Sequence, residues 1–285
     1  MAGPELSGAR ADPGGPPGAV PPILCYHKVD TRFELGFTQI EPRTFRRQVE
    51  ALARDGCRAL GSEGLLARLA GAAPAAAGPE VVFTFDDGYA GLARHAFPVL
   101  ADHGFPALVF VVSDYVGRDN DWDVQYGWRR FAHLGWDDLA RWQERGVEVH
   151  SHGATHARLT WLADTEISEE LERSGEAIER RLGRRPSAVS YPFGSVDGRV
   201  RALAARAGYR LGFAGPSQRG YEWLALPRRP VYGWDRFERP MVLGGSPLSG
   251  TALALARFTN RCAVGTAVIQ RALGRKYRDG GRVQG

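Results

Sequence analysis

A chain of 285 residues with 44% hydrophobic and 24% charged residues can bury one large core and has the composition of a globular protein. Its formal charge of +5 comes from arginines scattered over many helix-forming stretches, not from a basic block interleaved with aromatics, which argues against a nucleic-acid partner. No run of about 18 apolar residues reads as a transmembrane helix, although the basic balance leaves peripheral membrane contact open.

Residues 1–21 are rich in Gly, Pro and Ala and read as a disordered leader. They lack the basic-then-apolar order of a signal peptide. Cys25, Cys57 and Cys262 are odd in number and widely spaced, as for reduced thiols, and the expected location is the cytoplasm. None forms a C-x-x-C pair, which argues against zinc held by cysteine.

Residues 22–29 (PILCYHKV) read as the first strand and 31–40 as a loop. Pro42 opens a helix with Phe45, Val49 and Leu52 at helical spacing, stopped by Gly56. A short strand over 57–60 follows, then a helix capped by Ser62 and carrying Leu65, Leu66 and Leu69. After an Ala/Gly/Pro connector at 71–79, VVFTFDDGY (81–89) is a buried strand that ends abruptly in two acids and a glycine.

A helix over 93–103 closes at Gly104, and ALVFVV (107–112) is a second buried strand. The aromatic stretch 117–134 reads as a functional loop. A helix is predicted over 137–145 and a strand over 147–149. The longest helix, 165–182, carries the stripe Ile167, Leu171, Ile178 and Leu182. A strand at 188–191, a helix at 197–207, and strands at 209–213 and 224–232 complete the series.

Alternating short apolar strands and helices imply parallel β/α units, and seven or eight of them favour a closed or nearly closed barrel over an open sheet. The α/β domain spans 22–240. Residues 241–285 break the pattern, with a helix near 252–271 and a basic tail.

In such a barrel the reactive groups gather at the C-terminal strand ends. Asp86 and Asp87 stand at one of them. Adjacent carboxylates there repel unless a cation holds them, which points to a metal ion on one and proton transfer by the other; Asp-Asp-Gly is also ordinary turn chemistry. His152 and His156 follow another strand, four residues apart, and two imidazoles with one carboxylate make a three-ligand site that leaves room for water. His95, His103 and His133 read as surface or core residues, and His150 is assigned to the other side of its strand. Ser190 to Gly194 (SYPFG) forms either a plain loop or a turn whose N–H groups face an oxyanion. His27 is either a packed residue or a general acid at the rim.

Taken in order, CYHKV, TFDDGY, SHGATH and SYPFG resemble the polysaccharide deacetylase family, carbohydrate esterase family 4 or NodB homology domain, over residues 22 to 237. The leading Tyr-His is similar to the poly-N-acetylglucosamine deacetylase branch. The resemblance implies a distorted (β/α)7-type barrel, a divalent ion, chiefly zinc with cobalt or nickel as substitutes, and hydrolysis of an N-acetylated amino sugar. It implies Asp86 as base, Asp87, His152 and His156 as metal ligands, His27 as a protonated general acid, and Phe193 as the oxyanion-hole N–H. Many members carry an arginine where this chain has Ser190; Arg228 in LPRRPV is the expected replacement beside Asp86. A related scaffold cleaving another C–N bond such as a cyclic amide, and a carbohydrate-binding protein without catalysis, are the rival readings.

Overall fold

The structure, a computed structural model, describes residues 20–32, 38–72, 78–120, 131–218, 220–233 and 235. The predicted leader up to residue 19, the extension at 241–285, and Trp122, Tyr126 and Trp128 of the aromatic loop lie outside the described residues.

In chain order the elements are β1 (Ile23–Tyr26), β2 (Lys28–Val29), β3 (Gln39–Ile40), α1 (Pro42–Arg54), β4 (Arg58–Ala59), α2 (Ser62–Leu69), β5 (Glu80–Phe85), α3 (Gly91–His95), α4 (Phe97–Asp102), β6 (Ala107–Val111), α5 (Trp136–Gln143), β7 (Val147–Ser151), α6 (Asp164–Leu182), β8 (Ala188–Ser190), α7 (Gly198–Arg206), β9 (Leu211–Ala214), β10 (Leu226–Pro227) and β11 (Arg229–Pro230). The main sheet runs β10-β9-β8-β7-β6-β5-β1-β11, and β4 joins β5. Its pairings are all parallel.

The two ends of this sheet are one stretch of chain. Leu226 and Pro227 pair with Phe213 and Ala214, while Arg229 and Pro230 pair with Leu24 and Cys25, so residues 226–230 close the ring around Arg228. Pro227 and Pro230 cannot donate to a ladder, which accounts for the thin seam. With that run taken once, β1, β5, β6, β7, β8, β9 and the seam give the expected seven strand positions. The last connection carries no helix among the described residues, and the barrel is distorted accordingly.

Strands buried on both faces read as unbroken apolar runs because each parity has its own apolar partner. Leu24, Tyr26, Phe83 and Phe85 point outward and pack with Phe45 and Val49 of α1 and Phe97 of α4. Ile23, Val82, Leu108, Phe110, Leu211 and Phe213 point inward and meet Leu65, Leu66 and Leu69 of α2, which plugs the N-terminal mouth. Burying a Leu or Phe side chain is worth ~1.5–3 kcal/mol, so these two layers fix the register of every strand on which the opposite mouth depends.

Several predicted details change. Ser62 is the first helical residue of α2, and Gly61 holds the cap position. The Ser62 N–H donates at 3.1 Å to both Glu148 oxygens, and a Cβ on Gly61 would lie 2.0 Å from that carboxylate. The helix expected over 93–103 is two, broken at Ala96 (φ −105°), because Pro98 has no N–H for the Arg94 carbonyl. The first strand stops at Tyr26; Lys28 and Val29 turn away to pair with Gln39 and Ile40.

Candidate active site

Alternation along the strands builds the C-terminal mouth. Cys25 and His27 share parity on the first strand segment, Thr84 and Asp86 on and beyond β5, and His150 and His152 on and beyond β7. His150 therefore lies on the same face as His152, not the opposite one, since residues two apart in a strand point alike. It sits one layer deeper, with its Nε2 3.2 Å from Glu148 Oε2 and its ring 5.7 Å from that of Phe110.

His152 and His156 each place Nε2 3.5 Å from Asp87 Oδ1, and one donor atom from each of the three residues lies within 4.8 Å of the others. All three are buried. A tetrahedral ion with bonds of about 2.0–2.1 Å holds neighbouring donors about 3.4 Å apart, so the spacing fits such an ion. His152 Nδ1 lies 2.7 Å from the Ser190 carbonyl. A carbonyl only accepts, so Nδ1 carries the proton and Nε2 presents its lone pair to the centre. Burial lowers both imidazoles below their ordinary values, His156 the further, which keeps them neutral as ligands.

Among the described residues, φ is positive at three non-glycine positions: Asp87 (68°), His156 (64°) and Phe193 (61°). All three are among the site residues expected from the sequence. Each such position costs ~1–3 kcal/mol and persists only where its surroundings dictate it. At Asp87 the left-handed turn, followed by Gly88 at φ 69°, sends the second carboxylate towards the histidines and away from the first. At Phe193 it carries the loop under His156, ring centroids 4.8 Å apart. Gly194 is obligatory there, because a Cβ would come within 2.6 Å of the Gly215 backbone.

Asp86 is held separately. Arg228 from the barrel seam donates from both terminal nitrogens, at 2.7 Å to Oδ1 and 2.7 Å to Oδ2. It also donates to the Ser190 hydroxyl at 2.9 Å, so the position without an arginine becomes a support for the arginine that reaches Asp86. Burial alone would raise the Asp86 carboxyl; the Arg228 charge, with His152 and His27 beside it, outweighs burial and holds it far below the usual carboxylate range. Cys25 Sγ lies 3.7 Å from Asp86 Oδ2.

His27 stands in the same group, with donor atoms of Cys25, His27 and Asp86 within 4.8 Å of one another. Burial pushes its imidazole down to about 4, against the pull of Asp86. It is therefore neutral near pH 7, and the protonated resting form expected from the sequence is not what this environment favours. His133 is buried against Tyr89, ring centroids 5.0 Å apart, and His103 lies 5.8 Å from Phe105, in line with their structural reading.

Glu170, in the middle of α6, escapes the sequence reading. It is 7% exposed, and its Oε2 accepts from the Ala154 and Thr155 N–H groups, both at 3.0 Å, while Oε1 accepts from the Thr155 hydroxyl at 2.7 Å. It thus ties down the loop between the two histidines. The available signal is position: Glu170 lies on the buried stripe with Ile167, Leu171, Ser174 and Ile178, where an unpaired acid would be costly.

A parallel β/α barrel with an arginine-held aspartate beside a two-histidine, one-carboxylate cluster defines an enzyme scaffold with its chemistry at the C-terminal strand ends. The polysaccharide deacetylase family model matches residues 74–212, and the chain belongs to that family. YxkH of Bacillus subtilis (strain 168), whose name assigns it to the polysaccharide deacetylases, is 24% identical over 211 residues, 73% of this chain and 70% of the relative. The poly-beta-1,6-N-acetyl-D-glucosamine N-deacetylase of Staphylococcus aureus (strain MSSA476) is 20% identical over 143 residues, and the match covers 47% of each chain. Among solved structures, the Streptococcus pyogenes deacetylase PplD in complex with acetate superposes with a TM-score of 0.65 at 21% identity, over 75% of this chain and 92% of that one. IcaB from Ammonifex degensii gives 0.64 at 23%, over 84% and 96%. These likenesses show the same barrel fold.

Proposed function

We propose that this chain is a metal-dependent hydrolase that removes the N-acetyl group from an amino-sugar unit, either in an N-acetylglucosamine-containing glycan or in a biosynthetic intermediate. The observation that carries the reading is the division of labour between adjacent acids: Asp86 is locked on Arg228, and Asp87 is turned to His152 and His156. Name and fold of the relatives support the substrate class.

Asp87, His152 and His156 would hold the ion, with zinc the best match and cobalt or nickel as substitutes. When bound, such an ion would polarise an acetyl oxygen and lower the pKa of a water to about 7. Asp86, ionised at every working pH, takes the proton released as the water's oxygen attacks the acetyl carbon. A carboxylate held so low keeps that proton only briefly, which suits a relay. Neutral His27, whose ring nitrogen lies within 4.8 Å of an Asp86 oxygen, receives that proton from Asp86 and gives it to the departing amine, whose expulsion as an anion would be prohibitive. The Phe193 N–H, on its left-handed turn, is the protein donor assigned to the oxyanion. Arg228 orients Asp86 throughout.

Acetate release from N-acetylglucosamine oligomers, lipid-linked amino sugars and small N-acetyl glycosides, with added zinc and with a chelator, tests this. Release that the chelator abolishes supports the reading and ranks the substrates. No release from protein that holds its metal would turn the assignment to another C–N bond, such as a cyclic amide.

A further inference from the structure

The mouth contains a second set of metal-ligating atoms. Cys25 Sγ, a His27 ring nitrogen and an Asp86 oxygen lie within 4.8 Å of one another. Cys25 and His27 face inward together because they are two residues apart along a nearly extended segment whose first part, β1, is pinned by β5 on one side and β11 on the other. Cys25 is 6% exposed and Asp86 4%. The separation of 3.7 Å from Sγ to Asp86 Oδ2 is close to the edge of a tetrahedral site: bonds of about 2.3 Å to sulfur and about 2.1 Å to oxygen put those atoms about 3.6 Å apart. Sulfur, imidazole and carboxylate together select thiophilic divalent ions over magnesium or calcium.

We propose that Cys25, His27 and Asp86 form a second metal site, for zinc, cobalt or cadmium, which fills after the Asp87–His152–His156 site and takes Asp86 and His27 out of proton transfer when occupied. The order of filling follows from the surroundings. As the metal–sulfur bond forms, the thiol proton must leave for solvent, whereas the first site has two neutral imidazoles and an ionised carboxylate ready. Arg228, 2.7 Å from both Asp86 oxygens, also opposes a second cation. Both effects weaken the second site without removing its donors. Binding there does not depend on the deacetylase reading; the loss of activity on binding does.

The test is a titration of the metal-stripped full chain with cobalt(II) alone, followed by the near-ultraviolet sulfur-to-cobalt charge-transfer band, with acetate release measured on the same samples. Two equivalents should bind, the thiolate band should appear with the second, and activity should rise with the first and fall to background with the second. Cys25→Ser should bind one equivalent with no band, and His156→Ala should keep the band. Saturation of the wild-type chain at one equivalent without a band would overturn the site, and so would a band that survives in Cys25→Ser. A Cys25-dependent band with undiminished acetate release would leave the site standing and overturn the roles given to Asp86 and His27.

Discussion

Glu170→Gln isolates the support of the histidine loop from the ligands themselves. The wild-type carboxylate accepts two amide N–H bonds at 3.0 Å and a hydroxyl at 2.7 Å, and glutamine preserves its shape while removing the charge. If the amide oxygen takes the two N–H groups, the amide nitrogen faces the Thr155 hydroxyl, which can rotate to accept. What is lost is charge assistance. Bonds to an ionised acceptor contribute ~1.5–3 kcal/mol and neutral ones ~0.5–1.5, so two N–H bonds lose roughly 2 kcal/mol together. His156 is held at φ 64° immediately after Thr155, so this loss falls on the geometry the proposed metal site requires. At ~1.4 kcal/mol per tenfold, zinc affinity should drop about 30-fold, inside the ~10–100-fold range for removing such outer support. Glu170→Ala strands the N–H groups and should exceed that. Both variants also lose the 3.6 Å contact of Arg173 with Glu170, but Arg173 keeps Asp114 at 3.1 Å, so no charge is left unpaired. Competition with a chromophoric chelator gives the affinity, and melting of the metal-free proteins separates it from general instability. Zinc affinity within threefold of wild type in both variants would refute the reasoning.

Asp86→Asn should keep zinc and lose acetate release, whereas His152→Ala should lose both; an active Asp86→Asn chain would show that the proton goes elsewhere. Arg228→Met leaves a carboxylate that is 4% exposed without its cation, which should cost ~3–5 kcal/mol in urea unfolding and most of kcat. Arg228→Lys should recover stability better than activity, because one ammonium cannot hold both oxygens; an unchanged kcat in Arg228→Met would remove the orienting role. For His27, the folded imidazole at about 4 lies below its ordinary 6.5, so the unfolded chain binds more protons between those values. Unfolding free energy should therefore fall as pH drops from 6.5 towards 4, by at most about 3 kcal/mol from this residue. His27→Gln should flatten that slope, and an equally steep slope in the variant would contradict the lowered titration of this ring.

The strands were legible because a parallel strand covered on both faces leaves a continuous apolar run, and the runs at 81–85 and 107–111 end abruptly where the mouth begins. The same abruptness made Asp86, Asp87, His152 and His156 readable as a set. Parity is readable too, and by parity His150 shares its inward face with His152, against the opposite side expected for it. Other features depend on contacts that no local pattern encodes. Glu148 capping α2 joins residues 86 apart. The left-handed turns at Asp87, His156 and Phe193 fall on residues that do not advertise them, although a glycine is next to two of the three.

The seam shows most clearly how position and chemistry become one problem. Two prolines in five residues argue against a central strand, yet the ring closes on them because β9 and β1 each need only part of the 226–230 run. Arg228 lies between the two pairings, so its side chain points inward at the height of Thr84 and Asp86, with Phe110 and Phe213 near its guanidinium. Its Nε donates to the Ala214 carbonyl at 3.4 Å and its terminal nitrogens to Asp86, Thr84 and Ser190. The residue at the closure of the barrel thus also sets the charge and orientation of the proposed base. A shift of register at the seam would move that cation along the barrel wall, so the closure cannot be altered without altering the site.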